Sequence, residues 1–211
     1  MLTYKDICKS DYFKETYAKI EELKKDFPVN HGFVHVNHVL KNAKRLAKLF
    51  NLDKKDAQLL LIAASLHDIG YLDNRDNHPQ SGAVLAKEYL KDKLPEEDLS
   101  KVCLMIASHG GKHKDDYQNL CCICMILADK LDFIASRYDK EKIYDRHKIY
   151  LTIKATEIVK CKNYYQLVIK TTNKSLFSSI SEHHFFQKLQ DVLNKIYEYA
   201  GIRIEIDIKQ I

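Results

Sequence analysis

Apolar residues recur at helical spacing through the first two-thirds of the chain. Residues 10–27 place Tyr12, Phe13, Tyr17, Ile20 and Leu23 on one face, and Pro28 closes the run. The segment VNHGFVH reads as a loop leading into a helix over 35–50, where Val36, Val39, Leu40, Ala43, Leu46, Ala47 and Phe50 form a stripe of period 3.6. Asp53 suits the N-cap of a helix over 54–68. That helix carries LLLIAASLHDIG, apolar almost all round, and so belongs at the centre of the fold. Gly70 stands where a C-terminal cap is expected. Residues 71–78 are a polar loop, and Pro79 suits the first turn of a helix running to Lys91. A further helix over 96–109 ends at Gly110 and Gly111, and after KHKDD the residues 117–137 read as another long apolar helix.

The period then changes from helical to two. YLTIKATEIV and YYQLVIKTT are rich in β-branched and aromatic residues and flank CKN, which predicts a hairpin of strands at 148–159 and 164–172. A helix over 182–200 and a final strand, IRIEIDI, close the chain. The expected fold is mainly α: a helical bundle over 1–145 with a small C-terminal α+β subdomain over 146–211, built of hairpin, helix and strand.

Composition narrows the class. With 45% hydrophobic and 30% charged residues, the 211-residue chain has an ordinary globular balance, which excludes global disorder. Only 6 Gly and 3 Pro occur, too few for a barrel of many short strands. The net charge of +5 is interspersed, which favours a phosphorylated ligand over nucleic acid as partner. Cys121, Cys122 and Cys124 fall in one apolar stretch and read as small buried hydrophobes. Six cysteines read as free thiols suit a reducing cytoplasm, and neither a signal peptide nor a membrane span is expected.

Four polar residues are not explained by packing. His67 and Asp68 end the most apolar helix, His35 opens an earlier one, and Asp129 interrupts CCICMILADKLDF. A buried carboxylate is costly unless paired or bound to a cation. Two imidazoles and two carboxylates meeting from three helices suit a hard or borderline divalent ion.

These segments, H-V-x-x-V-x-x-x-A at His35, L-H-D-I-G at His67–Gly70 and A-D-K-L-D at Asp129, resemble the HD superfamily of metal-dependent phosphohydrolases over about residues 28–137. The resemblance implies an HD-domain helical bundle, metal binding by His35, His67, Asp68 and Asp129, and hydrolysis of a phosphate ester or anhydride. In two-metal members, histidines placed like His78 (H-P-x-x-G-A) and His109 bind a second ion. Asp68 then bridges, and one or two ions are implied, of Mn, Fe, Mg, Ni or Zn. The sequence departs from the HD-GYP phosphodiesterases, since Gly110 and Gly111 follow His109 and the Gly-Tyr-Pro element is absent. It departs from alarmone hydrolases as well, since Ile69 and Gly70 replace their acidic pair.

Asp68 and Lys130 are the catalytic candidates. Lys130, Lys112 and His113, with Lys114 beside them, are candidates for a substrate phosphate. Asp132 is read as capping or orienting, His31 and His38 as surface or supporting residues, and His183 and His184 as structural or exposed. The expected partner is a small phosphorylated substrate such as a nucleotide, with homodimerisation through the last strand a further expectation. A non-catalytic metal-containing sensor and a di-iron oxygenase are the competing readings.

Overall fold

A computed structural model describes residues 2–73, 76–173 and 184–211. The fold is mainly helical with a small C-terminal three-stranded sheet. It divides into two compact units, Met1–Lys25 with His31–Asp129, and Asp26–Asn30 with Lys130–Ile211. No helix among the described residues is long and apolar enough to cross a membrane.

The first unit begins with α1 (Tyr4–Lys9), which the hydrophobic pattern did not reveal. Its signal is the reciprocal cap between Thr3 and Asp6. Ser10 ends α1 and caps α2 (Asp11–Lys24), accepting a hydrogen bond from the Phe13 N–H. α3 spans Phe33–Leu49. α4 (Lys54–Leu66) starts from the Asp53 cap, as its sequence indicates, and every residue from Leu59 to Leu66 is buried. It packs against α1, α3 and α6 (Glu96–Ser108), which explains why its apolar surface goes all round. α5 (His78–Leu90) packs against α6, and α7 (Leu120–Lys130) completes the set.

Gly70 does not act as a left-handed cap. It lies in a single 3-10 turn, Ile69–Leu72, with an ordinary negative φ. Its role is close approach, because a Cβ there would lie 2.1 Å from the His78 carbonyl oxygen and 2.5 Å from the Gly82 amide nitrogen. Gly82 is tight in return, its own Cβ position being 3.2 Å from the His67 carbonyl oxygen. The start of α5 is thus laid directly against the backbone that follows His67.

The helix expected over 117–137 stops at Lys130. Its next carbonyls turn to side chains instead of continuing the ladder: Thr156 donates to the Leu131 oxygen at 2.6 Å and Arg137 to the Asp132 oxygen at 2.8 Å. Arg137 is buried and also organises the short Asp26–Asn30 segment. The Asn30 N–H donates to its carbonyl at 2.8 Å, and Val29 forms an isolated bridge with Tyr138.

The strand expected from 148 starts at Ile153, because Asp145–Thr152 winds as a 3-10 helix whose last hydroxyl, on Thr152, donates to the Ile149 carbonyl at 2.7 Å. β1 (Ile153–Lys160) pairs antiparallel with β2 (Tyr165–Thr171), and β2 pairs parallel with β3 (Ile204–Gln210). The parallel pairing needs a crossover, which α8 (His184–Ala200) supplies. Central β2 buries Leu167, Val168 and Ile169 in succession, as a strand covered on both faces does. α8 buries Phe186, Leu189, Val192, Leu193 and Ile196 at helical spacing. Residues 182–183 of the expected helix lie outside the described residues, His183 among them.

Gly70→Ala is expected to force α5 away from the His67–Gly70 backbone, at a cost of about 1–3 kcal/mol for an overpacked interior position. A urea unfolding midpoint equal to that of the unaltered protein would refute this account of Gly70.

Candidate metal centre

Each buried imidazole is set by how its helix begins or ends. α3 takes its N-terminal hydrogen bond from another helix: the Phe33 N–H donates to Glu21 Oε1 at 2.9 Å. Gly32 makes room for that carboxylate, since a Cβ there would fall 2.1 Å from the Glu21 side chain. α3 therefore starts ahead of His35, which is fully buried in its first turn. At the end of α4 the orphan carbonyls are taken by side chains. Ser65 donates to the Ile62 oxygen at 2.7 Å, His67 Nδ1 to the Ala64 oxygen at 3.0 Å, and the Tyr17 hydroxyl to the Ser65 oxygen at 3.1 Å. α6 ends in the same manner, with His109 Nδ1 donating to the Ile106 oxygen at 2.7 Å. A carbonyl can only accept, so both rings carry their proton on Nδ1 and present the Nε2 lone pair. Asp129 sits in the last turn of α7, and Asn42 of α3 ties that turn down by donating to the Ala128 oxygen at 3.1 Å.

These side chains converge on Asp68. His35 Nε2 lies 3.4 Å from Asp68 Oδ2 and 3.3 Å from Asp129 Oδ1. His67 Nε2 is 3.4 Å from Asp68 Oδ1 and 3.1 Å from His35 Nε2. On the other side, His109 and His78 place their Nε2 atoms 3.6 and 3.7 Å from Asp68 Oδ1 and 3.0 Å from each other. A fifth imidazole joins them, as His31 Nδ1 approaches Asp68 Oδ2 at 3.2 Å. Three overlapping groups result: His35, His67 and Asp129; Asp68, His78 and His109; and His31, His35 and Asp68.

Charge and spacing both fit a cation. Burial pushes the His109 imidazole down to about 3, with His67 adding to it, against the pull of Asp68 and Asp129. Burial lowers His67 as well. For Asp68 burial acts upward, but His67 and the hydrogen bonds from His31 and His35 outweigh it and hold the carboxyl well below its usual range. An ionised carboxylate beside the buried His67 and His109, whose imidazoles resist protonation, suits a cation, because a buried charge requires compensation. Donors about 2.1 Å from one ion stand about 3.0 Å apart at adjacent octahedral corners and about 3.4 Å apart at tetrahedral ones. The separations of 3.0 to 3.7 Å fall around that range.

A family model for the HD domain matches residues 32–134. Residues 32–134 are an HD domain. No curated protein matches the chain.

The HD domain brings together all six residues expected as ligands, His35, His67, Asp68, His78, His109 and Asp129. His31, expected to play a supporting part, lies in one of the three groups, whereas His38 is half-buried on α3 and belongs to none of them. Lys130 follows Asp129 directly and is half-buried. Lys112, His113 and Lys114 are exposed, and the first two give their backbone N–H groups to Asp116. Asp132 is buried in the second unit, where its carboxylate stands 3.9 Å from Arg137. Two aromatic residues have roles that the sequence did not reveal, Tyr17 because it lies on an apolar stripe and Tyr71 because it opens a polar loop. Tyr17 binds the end of α4, and Tyr71 stacks on His78 with ring centroids 4.1 Å apart while also facing His31 at 4.6 Å.

The lowered imidazoles make the metal-free protein acid-sensitive. An unfolded histidine takes up its proton near pH 6.5, whereas native His109 resists protonation down to about 3. Within that window the unfolded state binds the extra proton, so stability falls as pH falls; His67 acts in the same sense. Chelator-treated protein should therefore lose melting temperature steadily from pH 7 to pH 5. A flat profile over that interval would contradict the neutral-imidazole assignment.

Proposed function

We propose that the protein is a metal-dependent phosphohydrolase acting on a nucleotide or other small phosphoester. The observation that carries this is the single buried carboxylate, Asp68, approached on both oxygens by imidazoles from the loop before α3 and from the start or end of α3, α4, α5 and α6. His35, His67, Asp68 and Asp129 would hold one ion and Asp68, His78 and His109 a second, with Asp68 shared. A divalent cation bound there lowers the pKa of coordinated water and polarises a phosphoryl oxygen.

The chain's own contribution is pre-organisation. His67 and His109 are locked as acceptors by bonds to the carbonyls one turn back, so neither must change tautomer or rotamer on binding an ion. The three candidate groups found among the described residues contain imidazole and carboxylate without thiolate, which suits Mn, Fe, Mg, Ni or Zn. Lys130, next to Asp129 in sequence, and the exposed Lys112 offer positive charge to a substrate phosphate, and the exposed His113 offers a ring nitrogen for a hydrogen bond.

The test is metal analysis of the purified protein followed by a panel of nucleotides and phosphoesters with added Mn. Asp68→Ala should lose metal and turnover while keeping its helical circular dichroism; a variant that retains its full metal would defeat the assignment. His78→Ala and His109→Ala should each lower metal content from about two ions to about one and cut turnover severely. If each variant keeps its metal and mainly raises KM, one ion is present and these two imidazoles meet the substrate. Metal binding without turnover on any phosphate would support a non-catalytic sensor, and O2-dependent consumption of a non-phosphate compound by a two-iron form would support an oxygenase.

A further inference from the structure

We propose that His31 is itself a metal ligand, so that the first ion is held by five protein side chains and the second by three. His31 lies one residue ahead of the matched HD segment and is supplied by the loop that enters α3. The inference rests on the metal reading of this site but not on phosphoester hydrolysis.

Three observations support it. The first is separation: His31 Nδ1 stands 3.2 Å from Asp68 Oδ2, while His35 Nε2 stands 3.4 Å from the same oxygen. Those distances match the edges of a shared coordination sphere, and the three donor atoms form one of the compact groups found among the described residues. The second is placement. His31 packs against the Tyr71 ring at 4.6 Å and edge-on to His35 at 5.7 Å, so its ring plane is defined by neighbours on separate elements. A solvated loop histidine would have no such neighbours. The third is rigidity of the lead-in. The Phe33 N–H is bound to Glu21, and Gly32 fits only because it lacks a side chain, so the backbone next to His31 is fixed as a ligand's must be.

The consequence is asymmetry. The union of the two groups containing His35 comprises His31, His35, His67, Asp68 and Asp129, and the remaining group offers Asp68, His78 and His109. Five donors nearly complete an octahedral sphere. Three donors leave most of one open, so exchange with water and with a substrate oxygen belongs at the end of the site marked by His78 and His109. The first ion should accordingly bind tightly and the second weakly.

Cobalt(II), added anaerobically to chelator-treated full-length protein, reads both affinity and coordination number. The unaltered protein should bind two classes of cobalt, with the tight class showing the weak visible absorption of a five- or six-coordinate ion. His31→Ala should weaken the tight class about tenfold or more and intensify its absorption as coordination falls, leaving the weak class in place. His78→Ala should do the reverse, weakening the second class alone. His31→Asn separates ligation from mere support, because its amide nitrogen can still donate to Asp68 from nearly the position of Nδ1. If Asn restores both the affinity and the spectrum, His31 only orients Asp68 and the proposal is overturned. It is overturned also if His31→Ala, folded by circular dichroism, leaves the tight-class spectrum unchanged, or if the unaltered protein binds no cobalt. Hydrolytic activity plays no part in these readouts, so failure to find a phosphoester substrate would leave them standing.

Discussion

One carboxylate, that of Asp68, sets the terms for the first structural unit. It is almost completely removed from solvent, and a bare carboxylate in such surroundings would protonate or unfold the site. It remains ionised because imidazoles approach both of its oxygens. Those imidazoles belong to segments far apart in sequence, so the position of Asp68 constrains where α3, α5 and α6 begin and end. The helices converge on a charge, and the apolar core around Leu60, Ile62, Leu66 and Ile69 excludes the water that would otherwise screen it.

Helix ends carry this arrangement. A helix terminus leaves carbonyls without partners, and here the candidate ligand side chains themselves take them up: His67 closes on Ala64, and His109 closes on Ile106. Satisfying the backbone and selecting the tautomer are one interaction. The Tyr17 hydroxyl at the Ser65 carbonyl extends the same device to α2, fixing the end of α4 from outside the candidate ligand set. Gly70 and Gly82 then let α5 approach closely enough for His78 to reach the far side of the carboxylate.

The sequence made the site legible where polarity conflicts with packing. His35, His67, Asp68 and Asp129 stand out because they interrupt apolar helices, and such interruptions need a physical reason. His31 offered no such conflict, since a histidine in a polar loop is unremarkable until the loop's course is known. Tyr17 was hidden for the opposite reason, as an aromatic residue on an apolar stripe reads as core, and Tyr71, like His31, was read only as part of a loop. Element boundaries failed where remote side chains decide them. Nothing in ADKLDFIASR announces that Thr156 and Arg137 will take the Leu131 and Asp132 carbonyls and end α7. Residues 148–152 alternate enough to pass for the start of a strand, yet they belong to the 3-10 helix Asp145–Thr152, in which the Thr152 hydroxyl closes a tighter turn.

Burial within the site is graded, and the gradient follows chemical need. His35, His67 and His109 are closed to solvent, whereas His31 and His78 retain about a fifth of their side-chain surface. These two partly buried imidazoles flank the Tyr71 ring, which sits three residues beyond Asp68, and the Lys24 ammonium lies 4.8 Å from the centre of that ring. Aromatic contact gives these imidazoles an alternative to the deep burial that fixes the others, and the lysine adds positive charge at the same edge. The part of the site that is open is therefore also positive and held by ring contacts, which suits the anionic substrate proposed for it. Behind it, the fully buried His67 and His35 hold Asp68 ionised together with His31 at the edge itself.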